Sequence, residues 1–143
     1  MNSSLRHWLQ ISLFNLMLVA FIGIILRYKI AYSLPYIDQK YLLHGHSHFA
    51  FAGWITQALI ALLIGYLSEQ TGKDFFKKYR WLLYGNVVTA LGMLLTFPFE
   101  GYAFLSILFS TLSIFVFYFF SAIYWADLNR LPSKNTSHYC FKT

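Results

Sequence analysis

Charge is scarce in this sequence. Asp, Glu, Lys and Arg make up 11% of it, against roughly 25% in an ordinary soluble domain. Hydrophobic residues make up 58% of 143. A water-soluble chain this short has too little interior to hide so much apolar surface, which excludes a soluble globular domain and makes lipid the natural solvent. Cysteine is nearly absent. The single Cys140 excludes an internal disulfide and a Cys-rich metal site. The net charge is +6, but the positive residues sit in short clusters between apolar runs. They form no basic face with base-contacting side chains, so nucleic acid is excluded as a partner. Alternation of polar and apolar residues is also missing from the runs, which excludes a transmembrane barrel. There is no internal repeat.

What is present is a set of four uncharged runs, residues 8–26, 49–67, 81–99 and 101–126. Each is close to or above the ~20 apolar residues that cross a bilayer as helix. Only helices or closed barrels satisfy their backbone there. The fold class expected is therefore all-α: a polytopic membrane protein with four transmembrane helices in an antiparallel up-down bundle. It forms one domain over residues 1–143, with helices at about 8–30, 41–67, 79–98 and 101–128 and a tail over 129–143. Arg6 ahead of the first run resembles the start of a signal peptide. The run is long for that purpose and contains Asn15, so it reads as a retained helix. The third connection, Phe97-Pro98-Phe99-Glu100-Gly101, is very short. Pro98 and Gly101 are expected to end the third helix there and set a tight hairpin.

Lys and Arg report sidedness. Arg6, the second connection (Lys73, Lys77, Lys78, Arg80) and the tail (Arg130, Lys134, Lys142) share one side; the other holds only Arg27, Lys29 and Lys40. The positive-inside rule places both termini in the cytoplasm, and a bacterial inner membrane is the expected location. Helix 2 then runs inward. The chain closes on Tyr139-Cys140-Phe141-Lys142-Thr143 after a polar linker. That reads as the approach to another helix, so the chain is expected to be the N-terminal part of a longer protein; a natural ending is the alternative.

One stretch concentrates ligand chemistry: His44-Gly45-His46-Ser47-His48-Phe49-Ala50-Phe51-Ala52-Gly53-Trp54, with three of the five histidines. On a helix His44 and His48 share a face, continued by Phe51, Ile55, Leu59 and Leu62. His46 heads the opposite stripe, Ala50, Gly53, Gln57 and Ala61, which is small or polar and admits close approach of a helix or flat cofactor. Imidazole ligates metal ions and haem iron. A His44/His48 pair can chelate one ion but lacks the further ligands of a closed site, whereas haem needs one histidine per porphyrin face. The competing reading is that interfacial histidines bond water and headgroups. His7 and His138 fit that reading better, and Asn15 and Gln57 read as helix–helix hydrogen-bond partners. Glu100 reads as a solvated loop charge, with a role in a proton path as the alternative.

A histidine at the outer end of an inward second helix, followed by Phe49-Ala50-Phe51, resembles subunit I of the haem-copper oxidase superfamily. It is also similar to the related haem- and copper-containing family of nitric oxide metabolism. The resemblance covers about four of a dozen helices and rests on this one motif. It implies that His44 is an axial ligand of low-spin haem, with His46 a candidate at an offset of a residue or two and His48 a competitor or neighbour. The copper-site histidines, the high-spin ligand and the second axial ligand of such proteins have no counterpart here, so the chain alone is not expected to reduce oxygen or nitric oxide. Missing C-terminal helices, other subunits or a homo-oligomer would complete the site. Three functions follow. The first is a haem-binding protein of respiratory electron transfer. The second is a non-enzymatic membrane protein that binds or transports zinc or copper through His44, His46 and His48. The last-ranked is a membrane di-iron hydroxylase or desaturase, for which a single histidine box is too few.

Overall fold

The computed structural model describes residues 3–32 and 34–131. It contains α1 (Ser3–Ala31), α2 (Gln39–Thr71), α3 (Phe76–Glu100) and α4 (Phe104–Leu128), each long and apolar enough to cross a membrane. No strand occurs among the described residues. The chain is an all-α integral membrane protein whose helices form a bundle.

Every helix but α4 overruns its apolar run at both ends. Polar residues such as Ser3, Lys29 and Gln39 stay helical because the interface supplies water to the open backbone groups. Asp38 starts α2 by accepting from the Lys40 and Tyr41 N–H groups at 2.7 and 3.1 Å. Gly72 ends it in a left-handed conformation, φ 69°, with its N–H on the Ser68 carbonyl.

Two features differ from the sequence reading. First, α3 does not stop at Pro98 but continues to Glu100. Proline in the last turn removes one ladder bond and little helix remains beyond it. The Gly101 N–H still reaches the Phe97 carbonyl at 2.9 Å. Second, α2 is not uniform: Ala50–Thr56 is a π-helix set between two α-helical halves. Pro132, His138, Cys140 and the expected tail from 132 onward lie outside the described residues.

The main core gathers Trp8, Ile60, Ile64, Leu67, Tyr79, Leu83 and Phe120 at the end remote from His44, His46 and His48. There Lys78 and the Tyr79 hydroxyl both bond the Asp127 carboxylate, joining the start of α3 to the end of α4. A smaller cluster of Val19, Phe49 and Ala90 lies nearer the histidines. α3 and α4 touch closely because Gly92 has no side chain; a Cβ there would stand 2.4 Å from the Phe109 ring.

Candidate functional site

The histidines occupy the second and third turns of α2, in the register set by Asp38. His44 and His48 both face the α3–α4 hairpin. His48 lies flat on Phe97, with centroids 4.8 Å apart and planes at 6°. Phe97 meets Tyr102 edge-on at 5.3 Å, and Tyr102 meets His44 edge-on at 5.0 Å. The Tyr102 hydroxyl lies 3.2 Å from His44 Nδ1. The two imidazoles are thus joined through two aromatic rings, one from the last turn of α3 and one from the turn after it.

That turn is built to deliver Tyr102. Gly101 has φ 61°, and a Cβ would stand 2.6 Å from the Tyr41 ring. Two independent constraints therefore require glycine. Ser106 closes the turn: its hydroxyl donates to the Gly101 carbonyl at 2.6 Å and accepts from the Ala103 N–H at 2.9 Å. Gly45 is buried between the two histidine turns against Phe97 and Pro98, where a Cβ would come within 3.2 Å of Pro98 Cδ.

His46 faces the other way, toward α1. Its Cε1 stands 3.6 Å from where a Gly23 Cβ would be. Its Nδ1 is buried without a hydrogen-bond partner. No group of three or more His, Cys, Asp or Glu side chains comes together among the described residues.

Directly after the cluster the π-helix is held from two sides. Asn15 Nδ2 of α1 donates to the Gly53 carbonyl at 2.6 Å, and the Ser12 hydroxyl to that of Trp54 at 3.0 Å. From α3, Asn86 Nδ2 donates to the Ala52 carbonyl and to Gln57 Oε1, both at 2.9 Å. Three consecutive carbonyls of the widened turn thus accept side-chain donors. A π turn spaces backbone bonds five residues apart and loosens the ladder, and in lipid every exposed carbonyl needs a donor. Phe49 lies over Gly53, where a Cβ would sit 2.6 Å from its ring.

A cleft of about 410 Å³ runs beside this turn, between α2, α3 and α4. His48 and Phe51 line one wall, Asn86 and Met93 a second, Ser110 and Ser113 a third. The Ser110, Ser113 and Thr56 hydroxyls make no hydrogen bond among the described residues, whereas Thr89, Thr96 and Thr111 bond their own helix backbone.

The structure brings His44 and His48 to one face and separates His46 from them. The roles of Asn15 and Gln57 as interhelical partners are as the sequence suggested. Tyr102, Asn86 and Ser12 escaped the sequence reading. Asn86 carried a signal, a lone amide within an apolar run, but Tyr102 had none. Glu100 is exposed at the end of α3, and His7 is exposed at the start of α1 beside Trp8. No family model, no curated protein and no solved structure matches this chain.

Proposed function

We propose that this chain is a haem-binding integral membrane protein in which His44 is an axial ligand to low-spin haem iron through Nε2. The observation that carries this is the Tyr102 hydroxyl at 3.2 Å from His44 Nδ1. Ligating histidines characteristically bond a second residue through the nitrogen that does not face the metal, which fixes tautomer and ring direction. Nε2 of His44 has no hydrogen bond among the described residues. The surface beneath fits a flat apolar group: Phe51, Ile55, Leu59 and Leu62 are all exposed large hydrophobics of α2. Haem, when bound, supplies an iron that carries one electron.

The role then follows the resemblance of α2 to helix 2 of haem-copper oxidase subunit I: respiratory electron transfer in a bacterial inner membrane, with both termini cytoplasmic. The second axial ligand would come from further helices, another subunit or a second copy. His48, clamped on Phe97, and His46, against α1, would be neighbours of the ligand. The reading as a zinc or copper protein now draws on His44 and His48 without His46, because His46 faces α1.

The full chain, purified from a haem-replete host, tests this by its visible spectrum and metal content. A Soret band that His44→Ala abolishes and His7→Ala retains is expected. A colourless protein overturns the proposal, and zinc or copper without haem moves the assignment to the metal-ion reading.

A further inference from the structure

Four basic residues cluster in the second connection and the start of α3: Lys73, Lys77, Lys78 and Arg80. Lys78 is consumed by Asp127. Lys77 and Arg80, three apart, share a face of α3 with Tyr84. This face looks onto Ser3, His7 and Trp8 of α1 across a cleft of about 400 Å³, at the bundle end opposite His44. Trp8, buried, meets Tyr84 edge-on at 4.9 Å and floors the cleft with aromatic surface. Lys77 and Arg80 make no ion pair among the described residues. Asp74 is the one acid lining the cleft, and one of its oxygens accepts the Phe76 N–H at 3.0 Å. The first turns of α1 and α3 border the cleft, and the first N–H groups of α3 are already taken, Phe75 by the Ser68 hydroxyl at 3.2 Å and Phe76 by Asp74.

We propose that this cleft binds the phosphate of an anionic phospholipid in the leaflet that this end faces. Two observations agree on an oxyanion attached to an acyl chain: a net positive lining, with Lys77 and Arg80 against Asp74 alone and no ion pair made by either among the described residues, and an aromatic floor of Trp8 and Tyr84. Basic pockets between transmembrane helices recognise headgroups in this way, while tryptophan and tyrosine sit at headgroup depth. The inference does not depend on haem binding or on which side of the membrane this end faces.

Native mass spectrometry of the full chain, released from detergent doped with phosphatidylglycerol or phosphatidylcholine, tests it. The wild type is expected to retain phosphatidylglycerol preferentially. Lys77→Gln with Arg80→Gln should reduce that retention by about tenfold or more, since each basic side chain contributes roughly fivefold. Lys77→Arg with Arg80→Lys should restore it, which separates loss of charge from misfolding, and Arg27→Gln at the other end should leave it unchanged. Displacement of the lipid by millimolar inorganic phosphate supports recognition of the oxyanion. Equal retention of both lipids by the wild type overturns the proposal, as does an unaltered preference in the glutamine pair. Phosphate binding without lipid preference assigns the cleft to a free anion and likewise overturns it.

Discussion

Tyr102 is exposed, so its ring contributes little to folding, yet its hydroxyl is the polar contact of His44. That separation of roles makes Tyr102→Phe an informative change. The ring stays edge-on to His44 and Phe97, and only the hydrogen bond goes. If His44 ligates haem, the loss of the partner on Nδ1 should weaken binding by about 10- to 100-fold. Haem titration of the apoprotein, followed by absorbance, measures it. Unchanged affinity would remove Tyr102 from the site. Gly101→Ala acts one residue earlier and on the fold instead. It forces a Cβ into φ 61° and against Tyr41, which should cost about 1–3 kcal/mol of stability from the backbone alone and displace Tyr102 with the turn. A thermal midpoint as high as that of the wild type would count against the turn geometry.

At the scale of the element, α2 shows what hydropathy conveys and what it hides. Apolar length alone located four spans, because a bilayer rewards any uncharged run of sufficient length. Proline punctuation misled at Pro98 because one lost bond near a helix end is tolerable. The π-helix was illegible because its causes are not local: the donors to Ala52, Gly53 and Trp54 sit on α1 and α3. Likewise His44 and His48 could be assigned to one face from spacing, whereas the ring against each required knowing which turn packs beside them. The donors should differ in worth. Asn86→Ala strips the Ala52 carbonyl and also leaves both ends of the Gln57 amide unpaired, since Gln57 Nε2 already has no partner. Ser12→Ala strips one carbonyl. Interhelical hydrogen bonds in membranes are worth about 0.6 kcal/mol on average, up to ~1.7, so Asn86→Ala should cost about 1–2 kcal/mol and Ser12→Ala less. Unfolding in mixed micelles with increasing dodecyl sulfate ranks them, and equal costs would mean that the Asn86 bonds do not hold the turn.

For the molecule as a whole, packing is uneven from end to end. The larger core and the Lys78–Asp127–Tyr79 cluster lie remote from His44, His46 and His48, while the end that carries those three is held by rings, a glycine turn and three amide and hydroxyl donors. Hydropathy and Lys/Arg counts gave no hint of this asymmetry, because it depends on which side chains meet across helices. It has a consequence for substitutions at the far end. Asp127→Ala removes the acceptor of the Tyr79 hydroxyl, and Tyr79 is wholly buried. It also leaves Lys78 unpaired, although the Lys78 side chain is 49% exposed and water takes up part of that loss. The cost should be about 2–3 kcal/mol, dominated by the stranded hydroxyl. Asp127→Asn keeps an oxygen that can accept from Tyr79 and should cost less. Since distant, unshared sites add independently, neither change should alter haem affinity or the spectrum of the histidine end if His44 ligates haem as proposed. Circular dichroism on heating in detergent reads the first effect and absorbance reads the second. A spectral change in Asp127→Ala at a temperature where the protein is fully folded would show that α3 couples its two ends, and the clamp at Asp127 would then set the position of Phe97 under His48.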